Sequence, residues 1–288
     1  MTKIAITFDT HSFNKHTEAN LHNLCKRINK DKPDLLIHGG DIAEVLYGVK
    51  WFDNALNIFN TDCPNVKKSC VIGNHDLYVN ERTQGRTSLE LFELVLPAIA
   101  EKNQFHWLET ENLYYEDIAI VGSYLHYDYS AMDKHGVVSD FIKTQPITDH
   151  LVFYARNKKN VIVDGTRHIG LPSDIDFANQ LGEGFRKRLK AADENPEIKT
   201  IVVVTHIPCM PSQITSKPND YCWSIGTPYF GNISHVDFIM NSPKVKYVAS
   251  GHSHVGSDTV VTTNDGHKIR VLNSSADYGN PNHILLEM

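Results

Sequence analysis

Two histidines spaced i and i+2, His252 and His254, close the apolar run Val248-Ala249-Ser250-Gly251 and complete a series of metal-ligand types placed along the chain. The earlier clusters are Asp9-Thr10-His11, Gly39-Gly40-Asp41, Gly73-Asn74-His75-Asp76 and Thr205-His206. Carboxylate, carboxamide and imidazole gathered in one cavity suit zinc, manganese, iron or nickel. An all-oxygen calcium or magnesium cage would have no use for so many histidines. A single such cluster arises by chance, but a repeated arrangement at equivalent places in the chain does not.

Those equivalent places are strand ends. Each cluster follows a short apolar stretch that reads as a strand: Ile4 to Phe8, Leu35 to Ile37, Val71-Ile72, Ile201 to Val204, and Tyr247 to Ala249. In α/β sheets, ligands collect beyond the carboxyl ends of the strands, where loops project polar side chains from a rigid frame. Five strand ends can therefore converge on one site. Between them, apolar spacing predicts amphipathic helices over 17–30, 51–59, 88–101, 175–192 and 234–241, with Leu21, Leu24, Cys25 and Ile28 as an example of the stripe and Asp31-Lys32-Pro33 as its stop. Alternation over 259–263 and 268–272 around an Asp265-Gly266 turn predicts a hairpin, and 283–286 a final strand.

In chain order, Asp-x-His, Gly-Asp-x-x-Glu, Gly-Asn-His-Asp, a lone His after a strand, and Gly-His-x-His resemble the motif set of the calcineurin-like metallophosphoesterases, from Asp9 to His254. The resemblance implies that Asp9, His11 and His254 hold one metal, that Asn74, His206 and His252 hold the other, and that Asp41 bridges them. Two packed mixed β-sheets flanked by helices, a four-layer α/β architecture of the metallo-dependent phosphatase type, are then expected. A carboxylate has two oxygens and can span two ions roughly 3.5–4 Å apart. Manganese is the favoured ion for assay.

Two divalent ions clamp a phosphoryl group, neutralise its charge and lower the pKa of a bound water so that hydroxide attacks in line. The leaving alkoxide then needs a proton. His75 adjoins the ligand Asn74 with its own side chain uncommitted, and is the candidate general acid. Glu44 stands where the family usually has an Asp that orients this histidine, one methylene longer; a helix-start carboxylate facing solvent is the other reading of it. Serine/threonine protein phosphatases continue the second motif with an arginine, whereas this chain reads Gly40-Asp41-Ile42-Ala43-Glu44-Val45. A phosphodiesterase is therefore expected, with a phosphomonoesterase or a non-catalytic scaffold on the same fold as alternatives. A binuclear amidohydrolase or esterase is more remote, since such enzymes place the His-x-His pair on the first strand.

The 288 residues carry a formal charge of −6, without the basic footprint of a nucleic-acid binder. A small phosphoester or nucleotide-like substrate is expected, and one domain over 1–288, because ligands lie at both ends of the chain. No apolar run reaches membrane-spanning length and no signal peptide is apparent at the N-terminus, so a cytoplasmic protein with reduced thiols at Cys25, Cys63, Cys70, Cys209 and Cys222 is expected. Residues 122–173 form the least regular region, rich in aromatics, and read as a specificity excursion. Within it Tyr124 and His126 are the candidate substrate contacts, following the predicted strand 118–121. Asn14, His16 and Tyr278 lie near the motifs and read first as ordinary loop residues.

Overall fold

The structure is a computed structural model that describes residues 1–132, 168–217, 220, 223, 226–276 and 278–288. Two mixed sheets face each other. The first has the strand order β11-β1-β2-β3-β4, formed by β1 Lys3–Thr7, β2 Leu35–Gly39, β3 Lys67–Val71, β4 Phe105–Trp107 and β11 His283–Glu287. The second runs β5-β6-β7-β8-β10-β9, from β5 Leu113–Tyr115, β6 Ile118–Ser123, β7 Thr200–Thr205, β8 Val245–Ser250, β9 Ser257–Thr262 and β10 Lys268–Asn273. Strands β1 to β4 are mutually parallel, as are β6, β7 and β8, so each sheet presents its carboxyl ends together.

Side-chain alternation explains the layers. In β1 and β2, Ile4, Ile6, Leu35 and Ile37 point between the sheets and meet Val202, Val204, Ile118 and Ile120 from β7 and β6. Their alternates Ala5 and Leu36 face outward onto helices α1 Lys15–Asp31 and α2 Lys50–Asp62. Ala119, Val121, Ile201 and Val203 face the other way, onto α5 Asp174–Glu194 and α6 Val236–Met240. Each fully buried Val, Ile or Leu is worth about 1.5–3 kcal/mol, which a one-residue slip in register would forfeit along a whole strand.

The helices expected over 17–30, 51–59 and 175–192 form, with extended ends. Asn14 caps α1, its Oδ1 accepting from the Thr17 backbone N–H at 3.0 Å, and Lys32 ends that helix in the left-handed region at φ 52°. The helix expected over 88–101 is divided: α3 Ser88–Glu90 and α4 Leu96–Lys102 flank a π turn, Leu91–Val95. Pro97 explains the division, since it has no N–H to continue the ladder and its ring crowds the carbonyl four residues back. The helix expected over 234–241 shortens to α6. The hairpin β9/β10 forms around Gly266 at φ 89°, and β11 pairs antiparallel with β1. Cys25, Cys63, Cys70 and Cys209 are buried free thiols; Cys222 lies outside the described residues.

Candidate metal centre

Beyond their last residues, β1 and β2 continue side by side as loops. Asp9 N–H donates to Gly40 O, His11 N–H to Asp41 O and Ser12 N–H to Ile42 O, at 3.0 to 3.1 Å. Asp76, fully buried, locks the second loop by accepting from the N–H groups of Ile42, Ala43 and Gly73. Burial, then the nearby Asp41 charge, push its carboxyl up to about 7 against those three donors. The motif glycines are there for space: a Cβ on Gly73 would fall 2.2 Å from Asp41 Oδ1, and one on Gly251 2.7 Å from Asp9 Oδ2.

Asp9, His11, Asp41, His252 and His254 all have φ between 42° and 68°. This left-handed region is sparsely used by residues with side chains and is held only where the surroundings enforce it. Here it turns each side chain inward from the end of a strand.

From the second sheet, His206 follows β7, and His252 and His254 follow β8. Each has one ring nitrogen tied to a carbonyl: His206 Nδ1–H to Gly39 O at 3.1 Å, His252 Nε2–H to Tyr229 O at 2.8 Å, and His254 Nδ1–H to Ala276 O at 2.7 Å. The remaining nitrogen is thereby aimed, as ligand histidines require. The sheets also meet directly, because His252 N–H donates to Asp9 Oδ1 at 3.0 Å.

The structure brings all seven expected ligands together. Asp9, His11 and His254 form one compact donor group and Asp41, His206 and His252 another, each with its ligand atoms within 4.8 Å of one another. Asn74 Oδ1 joins the second group, 3.1 Å from His206 Nε2 and 3.0 Å from His252 Nδ1. Asp41 Oδ2 lies between the groups, 3.7 Å from His11 Nε2 and 3.3 Å from His206 Nε2.

Two observations show that these residues fit a cation. Buried His11 Nε2 has no hydrogen-bond partner, and His252 Nδ1, whose ring proton is committed to Tyr229 on the other nitrogen, turns a lone pair toward another acceptor, Asn74 Oδ1. Burial and then His206 hold His252 down at about 3, in keeping with a neutral ligand. Burial alone would lower His206, but the adjacent Asp41 carries it up to about 9, a proton where a metal would stand. Burial likewise opposes ionisation of Asp41, yet His206, His75 and His11 outweigh it and hold that carboxyl well below its usual range.

Glu44 is not a solvent-facing helix-start carboxylate: it is buried, and Oε1 accepts from His11 Nδ1–H at 2.9 Å and pairs with His75 Nδ1 at 2.7 Å. Burial raises its pKa, but the two histidine hydrogen bonds bring it down to about 2. A metal-ligand candidate and the acid candidate thus share one oxygen. His75 Nε2 is 3.9 Å from Asp41 Oδ2, so His11, Asp41 and His75 form a third donor group.

Tyr124 and His126 are fully buried. Tyr124 packs 6.0 Å from the His206 ring, and His126 spans from the Tyr124 hydroxyl to Asp174 Oδ1, each at 2.9 Å, so both stand behind the ligands. Of the aromatic region, residues 133–167 lie outside the described residues. Asn14 has its capping role and His16 is exposed. Two supporting residues had no role assigned from the sequence: Asp76, which closes the Gly-Asn-His-Asp motif, and Glu109, which no motif contains and which accepts from Ile72 N–H beyond β3 and from Tyr124 N–H beyond β6. Glu109 ties the two sheets together next to the site.

Residues 2–256 match the family described as calcineurin-like phosphoesterase. The chain belongs to that family. Among solved structures it is similar to a phosphopantetheinyl hydrolase from Mycobacterium tuberculosis, with a TM-score of 0.65, 17% identity, and coverage of 98% of this chain and 95% of the other. A dimetal phosphatase from Danio rerio gives 0.54 at 13% identity, covering 95% and 88%, and TT1561 of Thermus thermophilus gives 0.52 at 8%, covering 95% and 90%. At these identities the likeness is one of fold. No curated protein matches the sequence. The calcineurin-like phosphoesterase has, among its described residues, no helix long and apolar enough to cross a membrane.

Proposed function

We propose that this phosphoesterase is a two-metal phosphodiesterase acting on a small phosphoester or nucleotide-like substrate, and that one domain supplies the whole site. The observation that carries the reading is the position of His75. It stands beside the shared Asp41, held by Glu44, and neither of the two groups into which the seven ligands divide needs it to be complete. When bound, the two ions supply charge neutralisation and an activated water. Asp9, His11 and His254 would hold one, Asn74, His206 and His252 the other, with Asp41 common to both.

The chain's own residues do the rest. Glu44 keeps the His75 Nδ1 proton in place, which leaves Nε2 as the nitrogen that gives a proton to the departing alkoxide. Val45, buried and uncharged, stands where protein phosphatases carry a phosphate-binding arginine. A diester, with one negative charge fewer than a monoester dianion, has less need of such a cation. A cytoplasmic location and manganese as the working ion belong to the same reading.

Parallel assays of a p-nitrophenyl phosphodiester, the corresponding monoester and a carboxylic ester, with added manganese, test it. The diester is expected to be cleaved fastest. Faster monoester cleavage would make the enzyme a monoesterase; cleavage of the carboxylic ester alone would remove the phosphoester reading, and none at all would favour the scaffold.

A further inference from the structure

The loop after β10 places Tyr278 over the first ligand group. Its ring lies 4.2 Å from that of His11 at 29° and 5.0 Å from that of His254 at 19°, while the two histidines are themselves within 21° of parallel. Stacked against imidazoles on one side, the tyrosine is nevertheless 55% exposed, which leaves aromatic surface at the mouth of the site. Its hydroxyl is 3.5 Å from His75 Nε2, the nitrogen assigned to the leaving group. An exposed large aromatic at this distance from the reacting groups has no core to fill.

The loop is fastened on both flanks. His254 Nδ1–H donates to Ala276 O on one side; on the other, Asn20 Nδ2 donates to Gly279 O at 2.7 Å and Arg27 to Pro281 O at 2.5 Å. Asn20 and Arg27 both belong to α1, so the ring is presented from a rigid helix rather than by a free loop. The same loop that orients a ligand histidine thus carries a flat surface beside the departing oxygen.

The geometry points to Tyr278 as a specificity-determining residue that stacks a planar, aromatic or heteroaromatic, leaving group of the phosphoester. This deepens the proposed function and rests on it. A ring pair of this kind is worth about 0.5–1.5 kcal/mol beyond area burial, so the expected preference is about three- to tenfold.

The test uses the manganese-loaded protein and two non-hydrolysable probes of similar size, phenylphosphonate and cyclohexylphosphonate, followed by calorimetry. Wild type is expected to bind the phenyl compound about three- to tenfold more tightly. Tyr278→Leu should lose that preference while keeping cyclohexyl binding and both metals, and Tyr278→Phe should retain it. Equal affinity of wild type for the two probes, a preference that survives in Tyr278→Leu, or one that disappears in Tyr278→Phe would overturn the stacking role. If wild type binds neither phosphonate, the phosphoester reading falls, and this inference with it.

Discussion

The two sheets contribute to the site in different currencies. The loops of the first sheet bring Asp9, Asp41 and Glu44, together with His11, Asn74 and His75; those of the second bring three histidines, each pinned by a backbone carbonyl. Carboxylates are therefore concentrated on one side, and imidazoles with fixed aim on the other. The division suits two-metal chemistry, in which an anionic bridge must hold both ions while terminal imidazoles leave each ion's net charge high enough to polarise a substrate.

The sharpest way to break this comparison is to remove the bridge. Asp41→Asn is expected to weaken both metals by more than about 100-fold, beyond what the loss of an outer partner alone causes. His254→Ala from the second sheet should weaken mainly one. Elemental analysis after dialysis checks the pair, and equal losses from both variants would mean that the sides do not differ as described.

Next comes proton transfer. His75→Ala is expected to retain two metals and to slow cleavage of an alkyl phosphodiester by about 10²–10⁴, with a much smaller effect on a p-nitrophenyl ester, which departs without a proton. A lost metal would make His75 a ligand, as the third donor group allows geometrically. Should both esters slow alike with metals in place, stabilisation of the phosphoryl oxygens is the better account of the residue.

Glu44→Gln sharpens the same point, because its oxygen serves two histidines. Through His75 alone it would lower the alkyl-ester rate and leave metal content unchanged; through His11 it would also cost about 10–100-fold in affinity for one ion. Both effects are expected, each smaller than in the direct variants. Metal titration alongside the two-ester assay separates them.

The smallest effect concerns the outer face of the second sheet. Burial, then Arg186, whose guanidinium donates to His235 Nδ1 at 3.1 Å, hold His235 down at about 4 from an ordinary 6.5. A depressed histidine contributes stability that is present above pH 6.5 and lost as pH falls through 4. Urea midpoints for wild type should therefore drop between pH 7 and pH 4.5 by more than those of His235→Gln. Parallel curves for the two proteins would show that His235 does not carry that slope.

How much of this was legible in the sequence follows from what each residue must do locally. Ligand types at strand ends were visible because their chemistry is rare and their position regular. Long amphipathic helices were visible because 3.6-residue periodicity accumulates over several turns. Strands β4 and β5, three residues each, are too short to show any period, and are held by neighbours rather than by pattern. Apolar spacing over 88–101 runs straight through Pro97, and the division this residue causes there takes the form of a π turn rather than a stop. Glu109 and Asp76 act on backbone N–H groups distant in sequence or folded back across a loop, which no spacing rule anticipates. Glu44 was placed by its motif, yet its second partner, His11, comes from another strand.

The left-handed backbone at Asp9, His11, Asp41, His252 and His254 has an evolutionary consequence. Each such residue costs the fold on the order of 1 kcal/mol that glycine would not. Substitutions such as His254→Gly would relax the chain while erasing a ligand, so selection for stability alone drifts toward an inert scaffold. The motif persists only under selection for what it binds, and a relative that had lost its ligands to glycine would be expected to be more heat-resistant than its active ancestor.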